Sequence, residues 1–445
     1  RVFNVTWKED NLIEEVVIQA VKKESAGGLE IPAREMSIAA QSLDMSEFEG
    51  LGITSVDEAM QGRIAGLDIV FNSGNLGSGT TMRLRGVSSN NGNSEPLIVV
   101  DGNVFETTGN DNFDYANADE EKFAELLAVN PDDIESISVL KDAAATAVWG
   151  SQGANGVIQI KTKRGSQGRT RVTYSYRLNL THQPQGIRML NGDDYTMLLK
   201  EAYFNPEQSD HTSNIIELNY DPSFSEYQQF NNNTDWISAV QQLGVKNSHS
   251  LSLTGGGEKA TFRVSGSWDN ESGSIIGQRL DRLSTRVNLD YYVSDRIKIS
   301  SDFSLTYVDN DKNYPYRENN KDIGMLGIAY KKMPNLAIYA ETSDGTPTDR
   351  YYYALQSMSS ELNDQRALPN PVAVARLATN KYRTYTLNAQ FELQYDLLNP
   401  DESGHQLRYA GRVLLSTFND YTDMYYPREL STTQWYDSSV NAVTQ

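Results

Sequence analysis

The stretch PDDIESISVLKDAAATAVWGSQGANGVIQIKTKRG, residues 131–165, decides the fold of the N-terminal part of the chain. Asp142 can cap a short alanine-rich helix, and Gly150 stands where a helix end needs a residue with positive φ. Asn155 and Gly156 predict a tight turn. Apolar β-branched runs on either side predict two strands, which contain Ile134, Ile137, Val139 and Leu140, and then Val157, Ile158 and Ile160.

A phosphate-binding glycine loop is the alternative interpretation of this stretch. Such a loop would need a glycine-lysine-Ser/Thr run, or a GxGxxG motif that opens a helix. Neither sequence occurs between residues 131 and 165. The pattern therefore favours strand, helix, glycine turn and strand without a nucleotide.

The composition excludes several classes of function. The 445 residues carry a formal net charge of -20, which disfavours nucleic-acid binding because phosphates are repelled. The chain has no cysteine, which excludes a disulfide scaffold and thiolate metal sites. Only 4 histidines occur, and they are scattered. We therefore expect neither a metal nor a cofactor, and we find no nucleophile-base-acid set that would indicate an enzyme.

Upstream of this stretch, the sequence predicts further elements of the same α+β domain. Ser55 is expected to cap a helix, VDEAMQGRI, with Glu58 as its capping-box partner. Strands are predicted at 67–71 and 81–85, and a buried strand from residue 96 ends in the turn Asp101-Gly102. The acidic segment 106–128 is predicted to be a solvated loop that leads into a helix, with a calcium site as the alternative.

From residue 168 the pattern changes to strict alternation of apolar and polar residues, as in Val172, Tyr174, Tyr176, Leu178 and Leu180. Strands of about ten residues can cross a bilayer when tilted, and tyrosines at their ends are typical of interfacial girdles. A soluble β-sandwich is the alternative, but its strands are shorter and its outer face is polar. The alternation recurs at 262–268, 283–291, 297–307, 385–395 and 407–415, separated by a tight turn at 255–259 and by long polar segments at 182–248, 308–380 and 419–445.

These features together resemble the SusC-like TonB-dependent outer-membrane receptors. Stretches 233–236, 250–256 and 262–267 also resemble the family. The plug-domain resemblance is carried by Arg83, Arg85, Gly86, Asp101, Gly102, Asn130-Pro131, Ile134-Glu135, Lys141, Asp142, Gly150, Gly153, Asn155, Gly156 and Thr162-Lys163.

The resemblance implies a mainly β protein, in which an α+β plug lies inside a transmembrane antiparallel β-barrel. The plug is expected over 51–165 and the barrel over 168–445. Barrels of this kind have about 22 strands. The sequence predicts well under half of that number, so we expect a fragment with part of the barrel. Ahead of the plug, residues 1–10 would end an N-terminal extension domain and 21–50 would form a tether.

Between those segments lies NLIEEVVIQA, residues 11–20. An extended apolar segment of this kind can add as a strand to a partner's sheet edge. Periodicity alone leaves a plain edge strand as an equal alternative. In the family this position is occupied by the TonB box, so the resemblance predicts TonB binding by Leu12, Ile13, Glu14, Glu15, Val16, Val17 and Ile18.

The function implied by the resemblance is active import of a large nutrient, a glycan or an oligopeptide, across the outer membrane of a Gram-negative bacterium. TonB would supply the energy, and a SusD-like surface lipoprotein would act as a lid, with two receptors and two lids in one assembly. Loop aromatics can equally serve loop packing. The candidate substrate or lid contacts are Asn90, Asn91, Asn93, Tyr314, Tyr316, Tyr351 and Tyr352.

Two other functions are compatible with parts of the pattern. A secreted β-rich carbohydrate-binding or adhesion protein would share the many strands and the tyrosines. A signalling receptor would share the plug and the barrel. The first alternative requires a soluble monomer, whereas an import receptor requires detergent when it is extracted.

Overall fold

The structure is a computed structural model. Its described residues form two compact units, the N-terminal unit within Arg1–Ser73 and Ser78–Arg164 and the C-terminal unit comprising Gly74–Gly77 and Gly165–Gln445. The residues that the structure describes are 23–26, 29–32, 40–48, 55–71, 76–77, 80–84, 86, 95–104, 129–141, 147–207, 215, 218, 222–223, 227–318, 321–352, 365, 368–398, 407–430, 435–437 and 442–444.

The N-terminal unit is built on a five-stranded sheet of order β3-β8-β9-β6-β7. Its β6 and β9 are parallel, while β3 and β9 both run antiparallel to β8. Two separate hairpins, β1-β2 and β4-β5, accompany the sheet. The strand bounds are β1 Lys23–Ala26, β2 Leu29–Pro32, β3 Ala40–Asp44, β4 Leu67–Phe71, β5 Thr80–Leu84, β6 Leu97–Val100, β7 Asn103–Val104, β8 Ile134–Leu140 and β9 Val157–Thr162.

The deciding stretch, 131–165, folds largely as its sequence predicts. β8 and β9 are its two strands, and Ile137, Val139 and Ile160 are fully buried between the layers of the unit. A 3-10 helix, Ala147–Gly153, precedes the turn, with Gly150 at φ 58°. The predicted cap at Asp142 lies outside the described residues.

Two predictions in the N-terminal unit need correction. The first helix, α1, spans Val56–Met60 and is capped by Ser55 as predicted, but it ends early because Gly62 turns the chain at φ 70°. The predicted tether over 21–50 is wrong at its C-terminal end. β3 pairs with β8 there, and a 3-10 turn, Met45–Phe48, buries Met45 and Phe48 in the core.

The C-terminal unit is dominated by a seven-stranded antiparallel sheet of order β10-β11-β12-β13-β14-β19-β20. The strands run longer than the predicted ten residues, up to 20 in β19. Short hairpins lie between and after them. The bounds are β10 Gly168–Thr181, β11 Gly244–Gly256, β12 Ala260–Ser272, β13 Arg279–Ser294, β14 Ile297–Lys312, β15 Tyr316–Glu318, β16 Lys321–Ile323, β17 Tyr339–Glu341, β18 Pro347–Tyr351, β19 Thr379–Leu398, β20 Leu407–Tyr425, β21 Trp435–Asp437 and β22 Ala442–Thr444.

Several predicted loop bounds are wrong because strands extend into them. β11 begins at Gly244, inside the segment 182–248 that its polar composition predicts to be loop. Asn247 and His249 stand at positions where the alternation would have apolar residues, and they hide the apolar period. β14 and β20 likewise continue to Lys312 and Tyr425, beyond their predicted ends.

The long connections of the C-terminal unit contain helices rather than irregular chain. Three of these connections leave the sheet at the same end, where Thr181 pairs with Gly244 and Arg279 pairs with both Ser272 and Asp311. The helices are α2 Gly192–Glu207, α3 Tyr227–Phe230, α4 Trp236–Val240, α5 Met325–Lys331 and α6 Pro371–Leu377. They share one hydrophobic core with the β12-β13 connection, and we call this core the loop core.

Among the described residues, no helix is both long enough and apolar enough to cross a membrane, and that finding concerns helices alone.

Candidate functional site

The seven-stranded sheet has two opposite faces of inverted polarity. On one face, which we call the outward face, large apolar side chains are exposed, as at Trp268, Leu305 and Leu387. On the other face, polar side chains are buried, as at Ser267 and Asn288. A water-soluble sheet has the reverse arrangement, whereas a transmembrane strand points apolar residues at lipid. The alternation therefore gives this sheet the polarity of a transmembrane β-barrel wall.

Aromatic residues mark two levels on the outward face. The upper aromatic row is one line of register partners across six strands, Tyr176, His249, Trp268, Leu283, Tyr307 and Tyr385. His249 stacks on Trp268 with ring centroids 5.6 Å apart, and Tyr307 lies 4.7 Å from Tyr385. At the other end of the strands Tyr395 pairs with Tyr409.

The distance between these levels matches a bilayer. On β19, Tyr385 and Tyr395 are ten positions apart, or roughly 34 Å along a strand, and a tilt near 40° reduces that to roughly 25 Å, the height of the apolar band in outer-membrane barrels. Directly above the upper row the outward face becomes charged. Arg383 Nε contacts Asp309 Oδ2 at 3.2 Å, and Lys381 Nζ contacts Asp311 Oδ1 at 3.2 Å.

Ion pairs and hydrogen bonds join the strands on the polar face. Arg282 and Asp269 form a buried pair between β13 and β12. Ser300 donates to Asp290 at 2.6 Å, and Arg412 Nη2 contacts Glu392 at 2.7 Å between β20 and β19. Buried charges need such partners, so this face is held in one register by its polar side chains.

In the N-terminal unit, the predicted motif residue Asp101 ties two parallel strands together. Its backbone lies in the left-handed region at φ 49°, in the turn between β6 and β7. Its carboxylate accepts hydrogen bonds from Thr162 N at 2.9 Å and Thr162 Oγ1 at 2.7 Å. Since Thr162 ends β9 and is fully buried, the Asp101-Gly102 turn fixes the end of the parallel pair.

The other described motif residues also have structural roles, because they fix the backbone conformation and the positions of strands in this unit. Lys141 donates to the carbonyl of Ala65, and Gly86 has φ 90°. Gly156 has φ 97°, and a Cβ there would overlap the Leu84 side chain. These residues therefore position β8, β9 and β5 and do not form a pocket for chemistry. Arg83 lies on β5, whereas Arg85 and Asp142 lie outside the described residues.

In the loop core, hydrogen bonds connect the two longest loops. Trp236 Nε1 donates to Met333 O at 2.8 Å, and Thr234 Oγ1 donates to Leu336 O at 2.6 Å. Asn370 caps α6 and donates to Ile338 O at 2.8 Å. The described parts of both loops and of the short β12-β13 connection therefore share one core.

Two ionisable groups of these loops have shifted pKa values. Lys332 Nζ is buried and donates to Leu368 O at 2.6 Å and Gln365 O at 3.3 Å, and its burial lowers the pKa to about 7. Asp235 caps α4, and hydrogen bonds from the Ser238 hydroxyl and backbone N–H lower its pKa. Within the described residues, no group of three or more His, Asp or Glu side chains is arranged to hold a metal ion.

Comparison with known proteins agrees with both units. Residues 32–157 match the family model described as TonB-dependent Receptor Plug Domain. The TonB-dependent receptor SusC of Bacteroides thetaiotaomicron is 28% identical over 403 residues, 88% of this chain and 36% of SusC. The TonB-dependent receptor P3 of Formosa agariphila is 26% identical over 398 residues, 88% of this chain and 33% of that protein. The chain is therefore similar to the SusC-like TonB-dependent receptors, and its residues 32–157 match their plug domain.

The chain spans about a third of the length of these curated relatives. Its fold matches the RagAB peptide importer in the closed-closed state with a TM-score of 0.67 and 18% identity, covering 89% of this chain and 43% of the matched chain. The open-open state of RagAB matches with a TM-score of 0.65. The seven-stranded sheet therefore has the fold of part of a β-barrel of this kind.

Among the candidate substrate or lid contacts, Tyr352 is buried rather than exposed. Tyr352 is 8% exposed and meets Phe230 edge to face at 6.0 Å, so it belongs to the loop core. Tyr314 is half-buried beside Tyr426, and Tyr351 is stacked on Tyr339 at 5.1 Å. Tyr316 also packs against the loop core.

The remaining predicted site residues lie outside the described residues. They are the TonB-box residues from Leu12 to Ile18 and the loop asparagines Asn90, Asn91 and Asn93. The acidic segment 106–128 lies outside them too.

Sequence reasoning missed the residues that join the loops. The segment that contains Trp236 and Thr234, 233–236, resembles the family in sequence. Their hydrogen-bond partners lie in 333–336, about a hundred residues away, so the sequence could not indicate these contacts. Lys332 had no signal, because a lysine in a polar segment is normally solvated.

Proposed function

We propose that this protein is an energised import receptor of the outer membrane, which takes up a nutrient too large for passive pores. The observation that carries the proposal is the two-faced wall, in which apolar side chains are exposed and polar ones buried, in the same chain as a TonB-dependent receptor plug. Such a wall is stable only in lipid. A plug domain and a lipid-facing sheet in one chain support a transport function.

The proposed energy input is TonB, which binds the strand-forming segment 11–20. Leu12, Val16, Val17 and Ile18 supply the β-propensity that strand addition requires. The proposed partner on the cell surface is a SusD-like lipoprotein lid, seated on the loops above the sheet. The proposed cargo is a glycan or an oligopeptide, and the RagAB neighbour, itself a peptide importer, supports including peptides.

The test is uptake by cells that carry the full receptor. Deletion of residues 11–20, or their replacement by a glycine-serine sequence of equal length, should abolish uptake of labelled oligosaccharides and oligopeptides. Surface abundance and heat-modifiable gel migration serve as folding controls and should be unchanged. Undiminished uptake after both changes would refute the proposed TonB coupling.

The alternative of a secreted adhesion protein makes an opposite biochemical prediction. It requires the outward face to lie in water. This is unfavourable because large apolar side chains are exposed there, with Trp268 47% and Leu415 62% exposed. Exposed apolar areas of this extent mark membrane or partner contact. A receptor should pellet with membranes and stay in solution only in detergent.

A further inference from the structure

Charged side chains form two rows on the outward face of the sheet, directly above the upper aromatic row. Each row is a line of register partners across β13, β14 and β19, and the upper row continues onto β20. We call the seven residues the ionic belt: Asp281, Asp309 and Arg383 in the lower row, and Arg279, Asp311, Lys381 and Asp423 in the upper row. The belt carries both signs of charge at a level where the apolar band has ended.

The basic side chains of the ionic belt are paired with its aspartates and still reach the surface. Arg279 Nε lies 2.7 Å from Asp281 Oδ2, and the Arg279 side chain is 62% exposed. Lys381 and Arg383, which pair with the aspartates of β14, are also partly exposed. Ion pairs with this exposure contribute little to stability. The three basic groups can therefore bind another anion at small cost.

At the other end of the same strands, the outward register rows that the structure describes are uncharged. They contain Tyr291, Ile299 and Leu393, and beyond these Ile297, Tyr395 and Tyr409. Aromatic residues are typical of either interface of a membrane. The charges, by contrast, follow the aromatic row at one end of these strands only. The ionic belt therefore distinguishes the two leaflets.

The connections between the strands indicate which leaflet the ionic belt meets. At the end without the belt, β11 and β12 are joined by residues 257–259, and β13 and β14 by residues 295–296. The long connections that form the loop core leave the sheet at the belt end. Outer-membrane barrels have short periplasmic turns and longer extracellular loops. In an outer-membrane receptor, the belt would thus lie at the headgroup level of the cell-surface leaflet.

We propose that the ionic belt binds the phosphate groups of lipids in the cell-surface leaflet through Arg279, Lys381 and Arg383. The proposal rests on the proposed function for the position of the sheet in an outer membrane. Guanidinium groups bind phosphate oxygens in a bidentate manner, and lysine supplies a point charge. Carboxylates and phosphates together bind Mg²⁺, so the aspartates of the belt face the cations that such phosphates retain. A belt of both signs therefore suits a phosphorylated headgroup layer better than a layer of neutral sugars.

Native mass spectrometry of the purified full receptor tests the ionic belt, with lipid A, an acylated disaccharide that carries phosphate, as the probe. The unmodified receptor should retain dephosphorylated lipid A, which keeps the acyl chains, roughly tenfold less than lipid A. K381Q/R383Q should lose this preference. The matched control R169Q/R171Q removes two arginines at the same spacing from the start of β10, at the end of the sheet without the belt, and it should keep the preference.

Equal retention of the two lipids by the unmodified receptor would overturn the proposal without any variant. An unchanged preference in K381Q/R383Q would overturn it too, and so would an equal loss in R169Q/R171Q, because bulk charge would then explain the binding. Heat-modifiable gel migration shows that each variant is folded. The proposed function fails separately, when deletion of 11–20 leaves uptake intact, since an import receptor without a phosphate preference would still lose uptake after that deletion.

Discussion

Arg282 donates two hydrogen bonds to a single oxygen of Asp269, from Nε at 2.9 Å and from Nη2 at 2.6 Å. The residues are register partners on β13 and β12, and their side chains are only 3% and 6% exposed. This ion pair joins β12 and β13 on the polar face of the sheet. Both side chains are almost completely buried, and Asp269 also interacts with Ser248 and Lys246.

Replacing one member of this pair should therefore destabilise the wall strongly. R282M leaves a buried carboxylate, at a cost of about 3–5 kcal/mol. R408Q removes the partner of Asp396 in a pair that is 35% and 23% exposed, and it should cost below about 1 kcal/mol. The unfolding midpoints of the two variants in detergent and guanidinium provide the comparison. Equal midpoints would show that the Arg282 site is wet.

The outward face predicts a depth-dependent cost for a buried charge. Val287 lies midway between the aromatic levels, four positions along β13 from both Leu283 and Tyr291. V287R should cost about 2–4 kcal/mol, whereas V245R, in the register row of the charged residue Arg279, should cost about 0–1 kcal/mol. Unfolding of the receptor in lipid vesicles measures both. Similar costs for the two arginines would contradict a membrane level at Val287.

Alanine substitutions at two glycines of the plug motif should have different costs, because one causes backbone strain alone and the other also causes steric overlap. At Gly150, φ is 58° and ψ is -141°, a conformation that favours glycine, and a Cβ meets nothing within 4 Å, so G150A should cost about 1–3 kcal/mol of backbone strain. At Gly156, φ is 97° and a Cβ would overlap Leu84 and approach Leu140 O to 3.3 Å. Overpacking adds about 1–3 kcal/mol there. Hydrogen exchange of β8 and β9 in the receptor should therefore rise more in G156A than in G150A, and the reverse order would contradict the packing.

The buried amine of Lys332 makes the loop core sensitive to pH. Burial lowers its pKa from 10.5 to about 7, so the unfolded loops bind the proton more tightly than the folded loops. The loop core should consequently be least stable below pH 7 and should gain stability as the pH rises toward 10.5, by up to about 5 kcal/mol. Exchange protection of α5, corrected for intrinsic rates, measures this at pH 6 and pH 9. K332M should remove most of the dependence. Equal protection of the unmodified loops at pH 6 and pH 9 would contradict the burial of the Lys332 amine.

Much of the fold could be predicted because local patterns determine it. Period-two alternation predicted β10, β12, β13, β14, β19 and β20, because every second residue of each strand lies on the same apolar face. The glycine turn at 153–156 and the Ser55 cap followed from backbone requirements of single residues. β11 escaped the pattern, because positions such as Asn247 and His249 are polar yet belong to the outward face, where they meet Tyr176.

The loop core could not be predicted, because its members come from segments far apart in sequence. Trp236, Met333 and Val372 share no period, and their packing depends on the sheet bringing three connections to one end. The same reason explains the error at Tyr352. A tyrosine in a polar segment is expected to be exposed, but in the fold Phe230 packs against Tyr352 and buries it.

Spin labels on single cysteines along β19 test the membrane wall most directly, because the chain has no cysteine of its own. Labels at outward positions 387, 389 and 391 should be relaxed by a lipid-soluble probe, and labels at 388, 390 and 392 should not. Relaxation of the outward positions by a water-soluble probe instead, in receptor reconstituted into lipid, would contradict the central claim that this face lies in a bilayer.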